Sequence, residues 1–329
     1  MKIFFYTLFF VLFITGCSSK QYYEPKDVDG NYTAEVVKLD TNTISYTPYG
    51  MTLENKKLIS KSGITDLNIS KEHHFLNENS GVVLASDKNG TLFLKENNTI
   101  SKYKFSKDVV AATINDNLIA LVLMDNSILL YDKETKTTKF REYYKKSLIN
   151  NTKIAAPVFL SSVILYPTLD GKVVVFDLAS SGVAKTINID PTSDINNIIF
   201  LEAIDDTLVA ATNNKIFTFS DKRINVKDFE IRDVIIDKEK IYISTLDGQI
   251  IKFDKDLNQL KSTKLRFAKI YTIVATKDYI YAVESQDFLI KFDKSLEKKE
   301  VYNFSFDEYE KVIAIDNKLY FEDGYTILK

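Results

Sequence analysis

Beyond an apolar block at its start, the chain runs in short alternations of apolar and polar residues broken by Asn, Asp, Gly and Lys. Ile241-Tyr242-Ile243-Ser244-Thr245, a turn at Asp247-Gly248 and Gln249-Ile250-Ile251-Lys252-Phe253 make one such unit. Period-two apolar runs on either side of Asp-Gly predict a β-hairpin with a two-residue turn. Comparable units surround Gly90, Asn126, Gly171, Asn214, Asp287 and Gly324, with a weaker one at Asn55-Lys56. No apolar pattern of helical period extends over 12 or more residues beyond the leader.

From Lys56 to Gly324 the turns recur about every 38 residues, close to the ~40 of a four-stranded propeller blade. Eight turns predict eight blades. Too little chain follows Gly324 for both remaining strands of a last blade, and Tyr32 to Leu39 can supply its outer strand. Such closure leaves no open edge between first and last blades. The expected fold is therefore all-β: an eight-bladed β-propeller of four-stranded antiparallel blades over residues 31–329, closed by an N-terminal strand. An open solenoid is the alternative.

The apolar block, Ile3 to Ile14 after Lys2, is too short to cross a bilayer as a helix but suits the core of a secretory signal. It ends in Ile14-Thr15-Gly16-Cys17, which resembles a bacterial lipobox. Residues 1–16 then form a lipoprotein signal peptide, and Cys17 is the lipidated residue. Residues 17–30 are expected to form a polar tether. The alternative is a plain signal peptide with a chance cysteine. Several acyl chains on Cys17, at ~0.8 kcal/mol per buried methylene, give a firm anchor where one chain does not. Cys17 is the sole cysteine, so no disulfide forms within the chain. Ser18 stands where an Asp favours inner-membrane retention in well-studied lipoproteins. The lipobox resemblance thus implies an outer-membrane, lipid-anchored protein with its propeller in the periplasm.

With 45% hydrophobic and 27% charged residues the chain can bury a sizeable core. Its 43 Lys and Arg nearly balance 45 Asp and Glu, and only Arg141, Arg223, Arg232 and Arg266 are arginines. Phosphate and base recognition are poorly equipped, so no nucleic-acid partner is expected. His73 and His74 are the only histidines, and neighbours on a strand point to opposite faces, so no metal site is expected. Neither a Cys–His pair nor a nucleophile elbow is present. Asp87-Lys88-Asn89-Gly90 lacks the acidic run of a calcium loop and reads as a hairpin turn. Gly171-Lys172 lacks the upstream Gly of a P-loop.

The 19 Tyr and 22 Phe sit mostly within strands and are read as blade packing rather than sugar binding. Tyr143 to Lys146 and Glu297 to Glu300 read as solvated loops. Asn31 and Asn68 lie in stretches matching the extended acceptor pattern of bacterial N-glycosylation, one beside the tether and one in the body.

Leu169 to Ile189 carries a Gly-x-hydrophobic strand and then Phe176-Asp177 ahead of Gly182. This segment resembles the quinoprotein (PQQ-like) propeller repeat. The aspartate recurs as Asp132, Asp254 and Asp293, each after an aromatic, and is expected to accept backbone N–H bonds at the turn to the outer strand. The chain lacks the Trp that ends each repeat in dehydrogenases of this fold, and it has only 10 Gly. A propeller of this kind behind a lipobox resembles the BamB family of outer-membrane lipoproteins. That resemblance implies a non-enzymatic scaffold without a cofactor. Its partner would be the central (BamA-like) subunit of the outer-membrane β-barrel assembly machinery, docked through interblade loops whose contact residues no local motif identifies. The alternatives are a periplasmic quinone- or ligand-binding propeller and a surface-exposed adhesin lipoprotein.

Overall fold

The computed structural model describes residues 21–69, 72–147, 152–191, 196–220, 223–304, 312–321 and 324–329. The signal peptide, Cys17 and Ser18 lie outside the described residues. The strands form eight four-stranded antiparallel sheets. Blades one to seven span 43–65, 74–104, 109–143, 158–188, 200–228, 231–264 and 270–303. Blade eight combines three C-terminal strands with Val36–Lys38, paired as Val36↔Thr326, Val37↔Tyr325 and Lys38↔Gly324. The predicted closure is the observed one.

Seven of the eight predicted turn positions fall between the second and third strands of a blade, and the eighth, Gly324, is the first residue of the third strand of blade eight. The loop at Gly248 differs from expectation by one residue. Thr245 and Gln249 end the strands, so Leu246-Asp247-Gly248 is a three-residue loop, closed by the Gly248 N–H donating to Thr245 O at 3.1 Å. Gly248 takes the left-handed conformation at φ +79°, as the third residue of such loops requires. The extra residue lifts Leu246 off the strand and onto the loop tip.

The recurring aspartates act as expected. Asp132 Oδ1 accepts from the Glu134 and Thr135 amides at 3.0 and 2.9 Å, and Asp254 Oδ1 from Asp256 and Asn258 at 2.9 and 2.8 Å. Asp177 accepts from Ser180 N at 2.6 Å, and Asp293 from Glu297 and Lys298 at 2.9 and 3.1 Å. Glu297 and Lys298 thus belong to a capped turn, and Glu300 pairs with Lys291 at 2.9 Å.

Aromatic rings fill the seams between blades, where Tyr166, Tyr242, Phe75, Phe93, Phe176, Phe217, Phe253 and Phe292 are fully buried. In a chain without Trp, tyrosines on second strands tie neighbouring blades together. The Tyr166 hydroxyl donates to Leu129 O at 3.0 Å, Tyr242 to Lys294 O at 2.9 Å, and Tyr281 to Lys329 O. Burial pushes the Tyr242 phenol up to about 12, so it stays a donor at any ordinary pH.

Residues 23–32 lie along the outer edge of blade seven. The Asp29 amide donates to Val301 O at 2.7 Å, and its carboxylate accepts the Val301 N–H at 2.7 Å. Asn31 and Asn303 make a parallel bridge. Tyr23 is only 6% exposed and meets Phe288 edge-on at 5.7 Å. Part of the stretch read as tether is therefore a strap, leading directly into the closing strand. The buried Tyr23 hydroxyl has no hydrogen-bond partner among the described residues. Tyr23→Phe removes a desolvated polar atom and is expected to leave stability unchanged or raise it by up to ~1 kcal/mol in urea denaturation. A loss of more than that would reveal a bond to the hydroxyl.

Candidate functional site: the ring channel and one loop face

Sheet polarity places the turns between second and third strands, and the linkers from one blade to the next, on the same face of the ring. The two asparagines with acceptor patterns are exposed. Asn31 accepts from Asn303 Nδ2 at 3.2 Å on the strap, and Asn68 sits in a turn where its amide donates to Asp66. His73 and His74 border one surface cavity of about 470 Å³ but engage different partners. His73 Nε2 lies 3.0 Å from Lys56 O, and His74 Nε2 lies 2.9 Å from the Ser86 hydroxyl. Among the described residues no group of three His, Cys, Asp or Glu side chains is placed to hold a metal. Asp87 heads a hairpin turn, accepting the Asn89 and Thr91 amides at 2.9 and 2.8 Å.

Inner strands of blades one, five, six, seven and eight line a central cavity of about 260 Å³. Near its floor the Tyr49 hydroxyl accepts the Ala156 amide at 2.8 Å, joining blade one to the segment that leads into blade four. Burial pushes the Tyr49 phenol up to about 12 against that bond. Glu202 projects into channel water yet is ringed by protein, and the resulting desolvation raises its carboxyl above the usual range. Higher up, Lys153 and Asp233 pair at 2.8 Å. Asp233 also accepts the Thr272 hydroxyl at 2.7 Å and the Ile273 amide at 3.0 Å, stitching blade six to blade seven. Chemically the channel is a narrow, polar-stitched passage. None of these groups was singled out in the sequence, because each partner lies tens of residues away.

A second cavity of about 480 Å³ opens on the loop face, where Asn213, Glu230, Arg232, Leu246 and Tyr271 meet. The same face exposes large apolar side chains. Leu246 is 55% exposed and Phe267 43%, and Met124 and Tyr143 (64%) stand on blade three. Arg266 lies over the Phe267 ring at 4.8 Å and Arg141 over Tyr143 at 4.5 Å. Tyr143, read as part of a solvated loop, is thus the end of an outer strand with a guanidinium stacked on it.

Asp247, at the tip beside Leu246, has its carboxyl at about 2: burial raises it, and bonds from Lys264, Thr245 and Gln249 lower it by more. A depressed carboxyl adds stability that is present above the unfolded value of 3.8 and fades as pH falls towards 2. The side chain is half exposed, so Asp247→Asn is expected to lose less than ~1 kcal/mol at pH 7. The urea midpoints of the two proteins should draw together from about pH 5 downwards and meet only near pH 2. A gap independent of pH would contradict this assignment.

Residues 79–305 match the family described as the RSE1/DDB1/CPSF1 second beta-propeller. The chain is 29% identical to plasminogen-binding protein PgbB of Helicobacter pylori strain J99, over 83% of this chain and 59% of that protein. It is also 29% identical to PgbB of strain 26695, over 80% and 57%. The chain thus spans less than two thirds of the length of these curated relatives. Among solved structures, BamB from Moraxella catarrhalis superposes with a TM-score of 0.64 at 13% identity, covering 94% of this chain and 99% of that one. The C-terminal WD40 domain of Sif2 gives 0.65 at 13% identity, covering 91% and 100%. At such identities these likenesses concern the fold alone.

Proposed function

The chain belongs to the RSE1/DDB1/CPSF1 second beta-propeller family, and from that premise we propose that it is a non-enzymatic protein-binding scaffold. In this reading Cys17 carries the lipid anchor and the ring stands in the periplasm at the outer membrane. Its loop face docks on the β-barrel assembly machinery. The observation that carries the reading is the make-up of that face: Leu246, Phe267, Met124 and Tyr143 are exposed on it, two of them under arginines. Aromatic, Met and Arg side chains are the types enriched where proteins bind one another, and they supply most of the binding energy there. The lipobox, the fold shared with BamB and the strap that joins the N-terminal end to the ring support the envelope setting.

Deletion of the chain is expected to lower the steady-state level of outer-membrane β-barrel proteins. Unchanged levels would sink this assignment. A second reading is favoured by the two PgbB relatives: a surface lipoprotein whose ring binds plasminogen. Immobilised plasminogen retaining the purified chain, together with protease cleavage of the ring on intact cells, would replace the first reading by the second.

A further inference from the structure

The second-to-third-strand loops of blades four and six have the same form, Leu169-Asp170-Gly171 and Leu246-Asp247-Gly248. Their leucines have opposite fates. Leu169 is 0% exposed, packed in a cluster to which Tyr144 and Ile154 contribute from the long connection between blades three and four. Asn126 fastens both sides of this arrangement, donating to Lys145 O at 2.7 Å and accepting the Leu169 amide at 2.8 Å. In blade four, then, the protein's own extended chain covers the loop leucine. In blade six the connections on either side are short, 229–230 and 265–269, and Leu246 stays open.

The turn that carries Phe267 is bonded to the same loop. The turn 265–268 rests on Gly248, with Leu265 N donating to Gly248 O at 2.8 Å and Ala268 N to Leu265 O at 3.0 Å. Phe267 occupies the third position of this turn at φ +66°, where a type II turn takes Gly or Asn. A bulky residue with positive φ is strained, and such strain concentrates at functional positions. Here the strained side chain is not buried in a core; it projects into solvent under Arg266. Around the two apolar groups, Asp247 is held by Lys264, whereas neither Arg232 nor Arg266 makes an ion pair among the described residues. Arg232 lines the adjoining mouth with Leu246 and uses its Nε–H on Ile270 O. Glu230 and Tyr271 line the same mouth, and Lys269 lies over the Tyr271 ring.

We propose that Leu246 and Phe267 form the anchor site for an extended segment of a partner protein. That segment places an apolar side chain over the two residues and a carboxylate against Arg266 and Arg232. The occupant is a polypeptide because polypeptide covers the equivalent leucine in blade four, and it is acidic because neither guanidinium is ion-paired among the described residues. This site rests on the scaffold reading and names the kind of segment the scaffold holds.

The test uses the full chain in detergent micelles and immobilised 12-residue peptides that alternate Asp or Glu with Leu, Phe or Trp. Matched sets carry Lys for the acids or Ser for the apolar residues. The acidic–apolar set should retain the protein about tenfold better than either matched set. Phe267→Asn suits the left-handed turn position, so it should hold or raise the melting temperature while cutting retention about tenfold. Arg266→Glu should shift preference to the Lys set. No retention, equal retention by all three sets, or full retention by Phe267→Asn would each overturn the site. The scaffold reading is judged separately, by co-purification from membranes; peptide binding without co-purification would keep this site and discard the barrel-assembly partner.

Discussion

Gly248→Ala is expected to destabilise the protein by about 2–4 kcal/mol and to dislodge the turn that carries Phe267. A Cβ on Gly248 would lie 2.4 Å from Leu265 O and 2.9 Å from Ala268 O, both backbone atoms that yield only if the turn moves. The left-handed φ adds about 1 kcal/mol for any residue with a Cβ. Gly81 separates the two effects. It has a similar φ of +77°, and nothing lies within 4 Å of its Cβ position. Gly81→Ala should therefore lose only the conformational part. Urea midpoints of the two variants give the comparison, and equal losses would mean that the turn 265–268 does not pack on Gly248.

Tyr242→Ala is expected to lose about 3–5 kcal/mol, and Tyr242→Phe about 1 kcal/mol. The ring is 1% exposed in the seam between blades six and seven, and its hydroxyl reaches Lys294 O. Truncation empties a ring-sized volume that sheets on both sides hold open, whereas the Phe variant gives up only the bond. This pair measures how a propeller without Trp holds its blades together. A loss below ~1 kcal/mol for Tyr242→Ala would place the seam's stability elsewhere.

What could be read in the sequence was what repeats. Each blade must turn between its second and third strands, so Gly90, Asn126, Gly171 and Gly248 recur at blade spacing and mark the ring before any contact is known. The aspartates after Tyr131, Phe176, Phe253 and Phe292 were legible for the same reason, since their amide partners lie only two to five residues on. The closing strand followed from the shortage of residues beyond Gly324.

Features made once, across long separations, stayed hidden. Tyr23 and Asp29 sit in a polar stretch, and only the fold brings blade seven's outer strand alongside. Tyr49 finds Ala156 107 residues away. The Leu246–Phe267 site was invisible for a related reason. Leu169 and Leu246 occupy identical tripeptides, and only the length of the neighbouring connection decides which one is covered.

Affinity purification from gently solubilised membranes, with a tag after Lys329, tests the scaffold claim most directly. The wild-type chain is expected to bring down the central subunit of the barrel-assembly machinery, and Phe267→Asn to lose it while remaining folded. Wild-type preparations free of that subunit would contradict the account.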